Sequence, residues 1–230
     1  MTVAVGKDES GPLSKVQRTA AEKLTALVGK VVDDGVGPVQ GSRTYAGDRL
    51  ERARREGRSE AEAVEGAIKV IIRESVAAAG TTGFVTGLGG PLAMPVTLPA
   101  NVAGNLAINA RMVGAIAHLR GYTLDDPHCR TIILLTVAGS NLQAAASELG
   151  VQLGKQVANQ SIRAIPIAVL RRINARAGFF LVAKYGTQRS AVTLARAIPV
   201  AGGLVGGSVD AALTGMIGKA AKRAFADGQD

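Results

Sequence analysis

Residues 77–111 read AAAGTTGFVTGLGGPLAMPVTLPANVAGNLAINAR, and the chain is organised around them. No residue from Ser75 to Ala110 is charged, so Arg111 arrives after 36 neutral positions. Gly83, Gly87, Gly89 and Gly90 loosen the stretch, and Pro91, Pro95 and Pro99 interrupt it. It therefore lacks the unbroken ~20 apolar residues of a membrane-spanning helix and the alternation of a strand. Side chains this small bury themselves by close backbone approach. Pro99 suits the first turn of a helix. From there Val102, Leu106, Asn109, Met112, Val113, Ile116 and Leu119 recur as one stripe to Arg120, and Gly121 is the stop.

Moving back along the chain, Ser59 with Glu62 three residues later forms a capping box. It opens a helix through Val64, Ala67, Ile68, Ile71, Ile72 and Val76 to Gly80. Residues 44–56 read as a short, highly charged helix. Further back, Pro12 opens an amphipathic helix that carries Leu24, Leu27, Val28 and Val31 and ends near Val32. DDGVGPVQGS at 33–42 then reads as a loop and a candidate hinge. These signals divide the chain into an N-terminal helical arm and linker, 1–58, and a helical domain, 59–226.

Moving forward, Asp126 as N-cap with Pro127 at the first helical position starts a helix that is apolar nearly all round and weakens near Gly139. Its apolar girth predicts a central place. Helices also fit 151–164, 166–177 and 188–197, separated by Pro166, Gly178 and Gly186. The last organised piece, near 197–225, carries Gly202 with Gly206 and Gly203 with Gly207, two small-xxx-small pairs suited to close helix packing. The predicted fold is all-α: a single multi-helix domain with a Gly/Pro-rich central hairpin and a peripheral N-terminal arm.

The formal charge of +9 is unevenly placed. Residues 1–75 hold 13 Lys/Arg against 12 Asp/Glu, whereas residues 154–230 hold 11 against three. That last third presents Arg163, Arg171, Arg172, Arg176, Lys184, Arg189, Arg196, Lys219, Lys222 and Arg223 among apolar residues. Such a block suits a phosphate-bearing surface, either anionic lipid or nucleic acid. Aromatics at 3% and the lack of Trp argue against a stacking platform for single-stranded nucleic acid. Cys129 is the only cysteine, so no intrachain disulfide can form, and MTVAVGKDESG has no apolar core of signal-peptide length. The expected location is cytoplasmic, peripheral to the inner face of the cell membrane.

Arg111 and Asp210 stand out because each lies alone in a neutral neighbourhood. A buried charge is costly unless paired, so they are expected to pair as a clamp, with Asp125 or Asp126 as the next candidates. The functional alternative is that Arg111 takes a lipid phosphate or an acidic group of a partner. The glycines at 83–90 lack the Lys-Ser/Thr of a P-loop and the surroundings of a dinucleotide fingerprint. His118, His128 and Cys129 near Asp125 and Asp126 have no repeated metal-ligand spacing. No Gly-x-Ser-x-Gly surrounds Ser140 or Ser208. No cofactor, metal or catalytic residue is assigned.

GTTGFVTGLGGPLAMPVTLPANVAGNLAINARMVGAIAHLRGYTLDD at 80–126 and IPVAGGLVGGSVDAALTGMIGKAAK at 198–222 resemble the signature of the EcsC family of bacterial proteins. The resemblance covers about residues 60–225 and leaves the first ~55 outside it. It implies a membrane-associated companion of an ABC-type exporter, and the family offers no catalytic residues to carry over. The expected function is thus a non-enzymatic accessory protein that binds anionic lipid, or docks on a membrane complex such as an ABC transporter, through its basic last third. The alternatives are a hydrolase with a pocket near Arg111 and a soluble scaffold or homo-oligomer.

Overall fold

The computed structural model describes residues 12–80, 100–139, 165–195 and 201–226. For helical residues 12–14, 16, 100–102, 185–195 and 201–208, the backbone alone is described. Helix α1 spans Pro12–Asp33, α2 Ser42–Arg54, α3 Glu60–Gly80, α4 Ala100–Leu119, α5 Pro127–Ala138, α6 Ile167–Ala195 and α7 Ala201–Ala224. Two tiny strands, β1 (Gly35–Val36) and β2 (Val39–Gln40), pair antiparallel between α1 and α2. The fold is all-α.

Local chemistry sets the helix ends. Glu62 accepts from the Ser59 backbone N–H (3.1 Å) and hydroxyl (2.7 Å), so the capping box at the start of α3 forms. Asp126 accepts from the His128 N–H at 3.0 Å, with Pro127 as the first residue of α5. Gly121 after α4 and Gly139 after α5 lie at φ 80° and 77°, a conformation that other residues enter only with strain.

α4 is the hub. It touches α1, α2, α3, α5 and α7, and from Ala110 to Ala117 every residue is buried. α5 is also buried along most of its length, so its apolar girth was a true signal, but it flanks the hub. α3 runs antiparallel to α4, since Glu65 near its start hydrogen-bonds Arg120 just past the end of α4. α7 packs against both α3 and α4, and Gly215 and Gly218 face Val76 and Ile72 of α3.

The N-terminal segment differs from the predicted arm. Leu24, Val28, Val31, Val39 and Tyr45 belong to the same buried cluster as Leu106, Ile116, Leu135 and Ile173, so the helical domain begins within α1. The candidate hinge at 33–42 is the β1–β2 hairpin, fixed by buried Val39 and by Gly35 at φ 82°. Gly178 does not break a helix. α6 runs through it, and a Cβ there would come within 3.1 Å of Ala21 and Thr25, so the glycine is where α6 closes on α1. The helix expected at 151–164 lies outside the described residues.

Candidate functional site

The chain's isolated arginine meets an aromatic ring instead of an acid. Gly114 lets the start of α2 approach α4 so closely that a Cβ there would be 2.4 Å from Ser42 Oγ. Ser42 Oγ donates to the Arg111 carbonyl at 3.2 Å. One turn further along α2, Tyr45 lies with its ring centroid 3.9 Å from the Arg111 guanidinium carbon. One turn further again, the Arg49 guanidinium carbon is 4.0 Å from the same centroid. Glu74 of α3 completes the cluster. Its Oε2 accepts from Tyr45 Oη at 2.7 Å and from Arg49 Nε and Nη2 at 3.0 and 2.9 Å.

Electrostatics separates the two arginines. Burial pushes Glu74 up, but the hydrogen bonds from Tyr45 and Arg49 outweigh it and hold the carboxyl below its ordinary range. The Tyr45 phenol is pushed up to about 12, first by burial and then by its bond to Glu74. Arg111 is 8% exposed, and its Nε is buried with no hydrogen-bond partner. Burial lowers its pKa, but a guanidinium stays charged in proteins. Stacking on a desolvated ring returns about 2 kcal/mol, while burying an ion costs several kcal/mol. The stack alone leaves that cost uncovered.

The expected clamp between Arg111 and Asp210 is not formed. Among the described residues no carboxylate lies within salt-bridge distance of Arg111. The reason is helical phase: α3 turns Glu74 towards α2 and Arg111, but Ile72 and Val76 towards α7, which carries Asp210. The other candidate partners are engaged elsewhere. Asp125 bonds Arg43 (2.5 Å) and Arg130 (3.1 Å), and Asp126 caps α5 and contacts His128 Nδ1 at 3.0 Å. Tyr45, Arg49 and Glu74 escaped the sequence reading. The available signal was a tyrosine, one of three in the chain, set four residues before an arginine in a helix otherwise crowded with charge.

Among the described residues of the same neighbourhood, no serine or cysteine is held by a base. Ser42 is committed to a carbonyl, and Ser75, next to Glu74, has a buried hydroxyl without a partner. Burial pushes the Cys129 thiol up to about 12, far from thiolate reactivity at neutral pH. Among the described residues no group of three His, Cys, Asp or Glu side chains could hold a metal ion.

A second feature lies on α6 and α7. Arg172, Ala175, Arg176, Phe179 and Ala183 share one exposed face of α6, with Arg171 at its edge. α6 contains no acidic residue. On α7, Val209, Ala212, Met216, Lys219 and Arg223 form an exposed stripe, apolar in its first half and basic in its second. Among the described residues the exposed large hydrophobics are Ile167, Phe179, Val209 and Met216, all on these two helices.

Two of the predicted surface cations turn inward. Lys222 bonds Glu65 at 2.9 Å. Lys184 donates to the Val137 carbonyl at 2.9 Å, and burial pushes it down to about 8. Arg189 lies on α6, with its side chain outside the described set, as are Arg163 and Arg196 entirely. Gly83, Gly87, Gly89 and Gly90 also lie outside the described residues. Gly202, Gly203, Gly206 and Gly207 fall in α7 by backbone alone. Among the described residues no helix is long and apolar enough to cross a membrane.

The model of the EcsC protein family matches residues 4–226. The match takes in α1 and α2, which the sequence resemblance had left outside. No curated protein and no solved structure matches the chain.

Proposed function

From the premise that this chain belongs to the EcsC protein family, we propose that it docks on an anionic bilayer surface, without catalysis, through the outer faces of α6 and α7. The observation that carries this reading is a coincidence of place. The exposed large hydrophobics occur on the same two helices as exposed Arg171, Arg172, Lys219 and Arg223, and α6 carries no acid. Phe179, on the same face as Arg172 and Arg176 and one turn beyond Arg176, and Met216, beside Lys219, supply apolar contacts next to cations. That combination suits a helix lying in the headgroup layer. Each Lys or Arg near an anionic surface adds about 1 kcal/mol, screened by salt.

The test is flotation of the full chain with vesicles of phosphatidylcholine, with and without phosphatidylglycerol. The protein rises with the phosphatidylglycerol vesicles alone, and salt releases it. If it stays with the buffer in both cases at low salt, direct lipid docking is wrong, and a protein complex of the membrane becomes the better partner for this face.

The apolar first half of the α7 stripe, Val209, Ala212 and Met216, favours a second reading, a homo-oligomer formed through α7. Light scattering on wild type and on Met216→Glu separates the two. A wild-type monomer leaves the stripe to the membrane.

A further inference from the structure

We propose that Arg111 is the anchor of an oxyanion-binding site that takes a phosphate group, between α2, α3 and α4. The inference rests on residues separate from the membrane-docking face, so either can fail alone.

Arg111 is more than nine-tenths buried and has no acid partner among the described residues. Its Nε is sealed and unpaired, whereas the two terminal nitrogens, which also make no hydrogen bond among the described residues, are not among the sealed atoms. The guanidinium carbon lies over the Tyr45 ring, 3.9 Å from its centroid. Tyr45 is held in turn, because its hydroxyl is fixed by Glu74. The result is a rigid planar cation with two free donors at its outer end, the arrangement that receives an oxyanion end-on through two parallel hydrogen bonds.

The cluster already contains a carboxylate, but it makes no hydrogen bond to Arg111 and acts on it only through space. Glu74 concentrates three donors on the single oxygen Oε2: Tyr45 Oη, Arg49 Nε and Arg49 Nη2. Arg49 takes Glu74 at 2.9 Å and Asp48 at 3.6 Å, so Arg111 is the arginine of the cluster with no direct ion pair among the described residues. A phosphate, with acceptors in several directions, can engage the terminal nitrogens without displacing Glu74. Arg49 and Glu74 have side chains 15% and 35% exposed, so the cluster has a solvent-facing rim. A free phosphate and the phosphate of a lipid headgroup offer the same chemistry here.

The test uses the full chain and the arginine Nε–H resonances, with Arg111 assigned by its loss in Arg111→Lys. The probes are inorganic phosphate and a short-chain phosphatidylglycerol below its micelle concentration, each against sodium chloride at equal ionic strength. A saturable shift of the Arg111 resonance with either probe is expected. Tyr45→Leu, which removes the stack, should weaken binding by about tenfold, and Glu74→Gln should leave or strengthen it. A response to phosphate assigns a free phosphate or phosphomonoester, and a response to the lipid alone assigns a headgroup. No saturable shift with either probe, or an equal shift with chloride, overturns the site. Because the wild-type resonance is itself the readout, misfolding of a variant does not blunt the test.

Discussion

The cations of α2 to α5 and those on the outer faces of α6 and α7 are the same residue types put to opposite uses. In the first region many have an acid: Arg49 with Glu74, Arg54 with Glu60, Arg120 with Glu65, and Arg130 with Asp33 and Asp125, with buried Arg111 an exception. Most of these pairs join different helices, so they fix how the helices dock. In the second, exposed Arg171, Arg172, Lys219 and Arg223 make no ion pair among the described residues. An exposed pair contributes only about 0–1 kcal/mol, so the difference is one of availability more than stability. Charge that is spent internally cannot serve an external anion, and charge on α6 can.

The sharpest way to break that comparison is to reverse charge in each region. Arg171→Glu with Arg172→Glu removes two attractions and adds two repulsions, each about 1 kcal/mol at an anionic surface. Partition onto phosphatidylglycerol vesicles should fall by about a hundredfold or more, with the thermal midpoint nearly unchanged. Arg54→Glu with Arg55→Glu on α2 should change partition by about twofold or less. Equal losses in the two variants would mean that net charge governs binding and that α6 has no special role.

Stability should divide the other way. Leu24 is 1% exposed in the core shared by α1 and the hub. Leu24→Ala should cost about 3 kcal/mol in urea unfolding and leave vesicle partition of the folded protein intact. A cost under about 1 kcal/mol would return α1 to the status of a loose arm. Gly114→Ala comes next, at about 2 kcal/mol, because its Cβ must displace Ser42 from 2.4 Å. It should also loosen the Tyr45–Arg111 stack, seen as a changed Arg111 Nε–H resonance.

These outcomes also show which features could be read from the chain and which could not. Caps and stops are local chemistry, so Ser59 with Glu62, Asp126 with Pro127, and Gly121 marked their helix ends correctly. Gly178 misled, because an isolated glycine in a helix reads alike whether it ends the helix or admits a neighbour; the neighbour, Ala21, is far away in sequence. Arg111 was singled out correctly as unusual by its neutral surroundings. Its partner was not legible, since pairing depends on helical phase across three elements. A search for acids also passes over a tyrosine ring as the group that supports a cation. Leu24 and Val31 fitted an amphipathic arm as well as a core helix, and hydrophobic spacing does not say how much lies on top of it.

The smallest effect lies where the two regions meet. Glu65 of α3 takes Arg120 on one oxygen and Lys222 of α7 on the other, at 2.9 Å, which ties the hub to the last helix. The Lys222 hydrogen bond leads in holding the Glu65 carboxyl below its ordinary range, against burial and with Arg120 assisting. A carboxyl depressed in the folded state binds fewer protons there than in the unfolded chain. Its contribution is therefore complete above the unfolded value and is lost as pH falls through the folded one. Glu65 is 37% exposed, so solvent screening keeps that contribution below about 1 kcal/mol. Glu65→Gln should lower the urea midpoint slightly at neutral pH, less so in high salt, and the gap from wild type should close below about pH 4. A gap that persists undiminished in acid would mean that Glu65 acts by packing, and that the paired cations of the first region owe their arrangement to shape before charge.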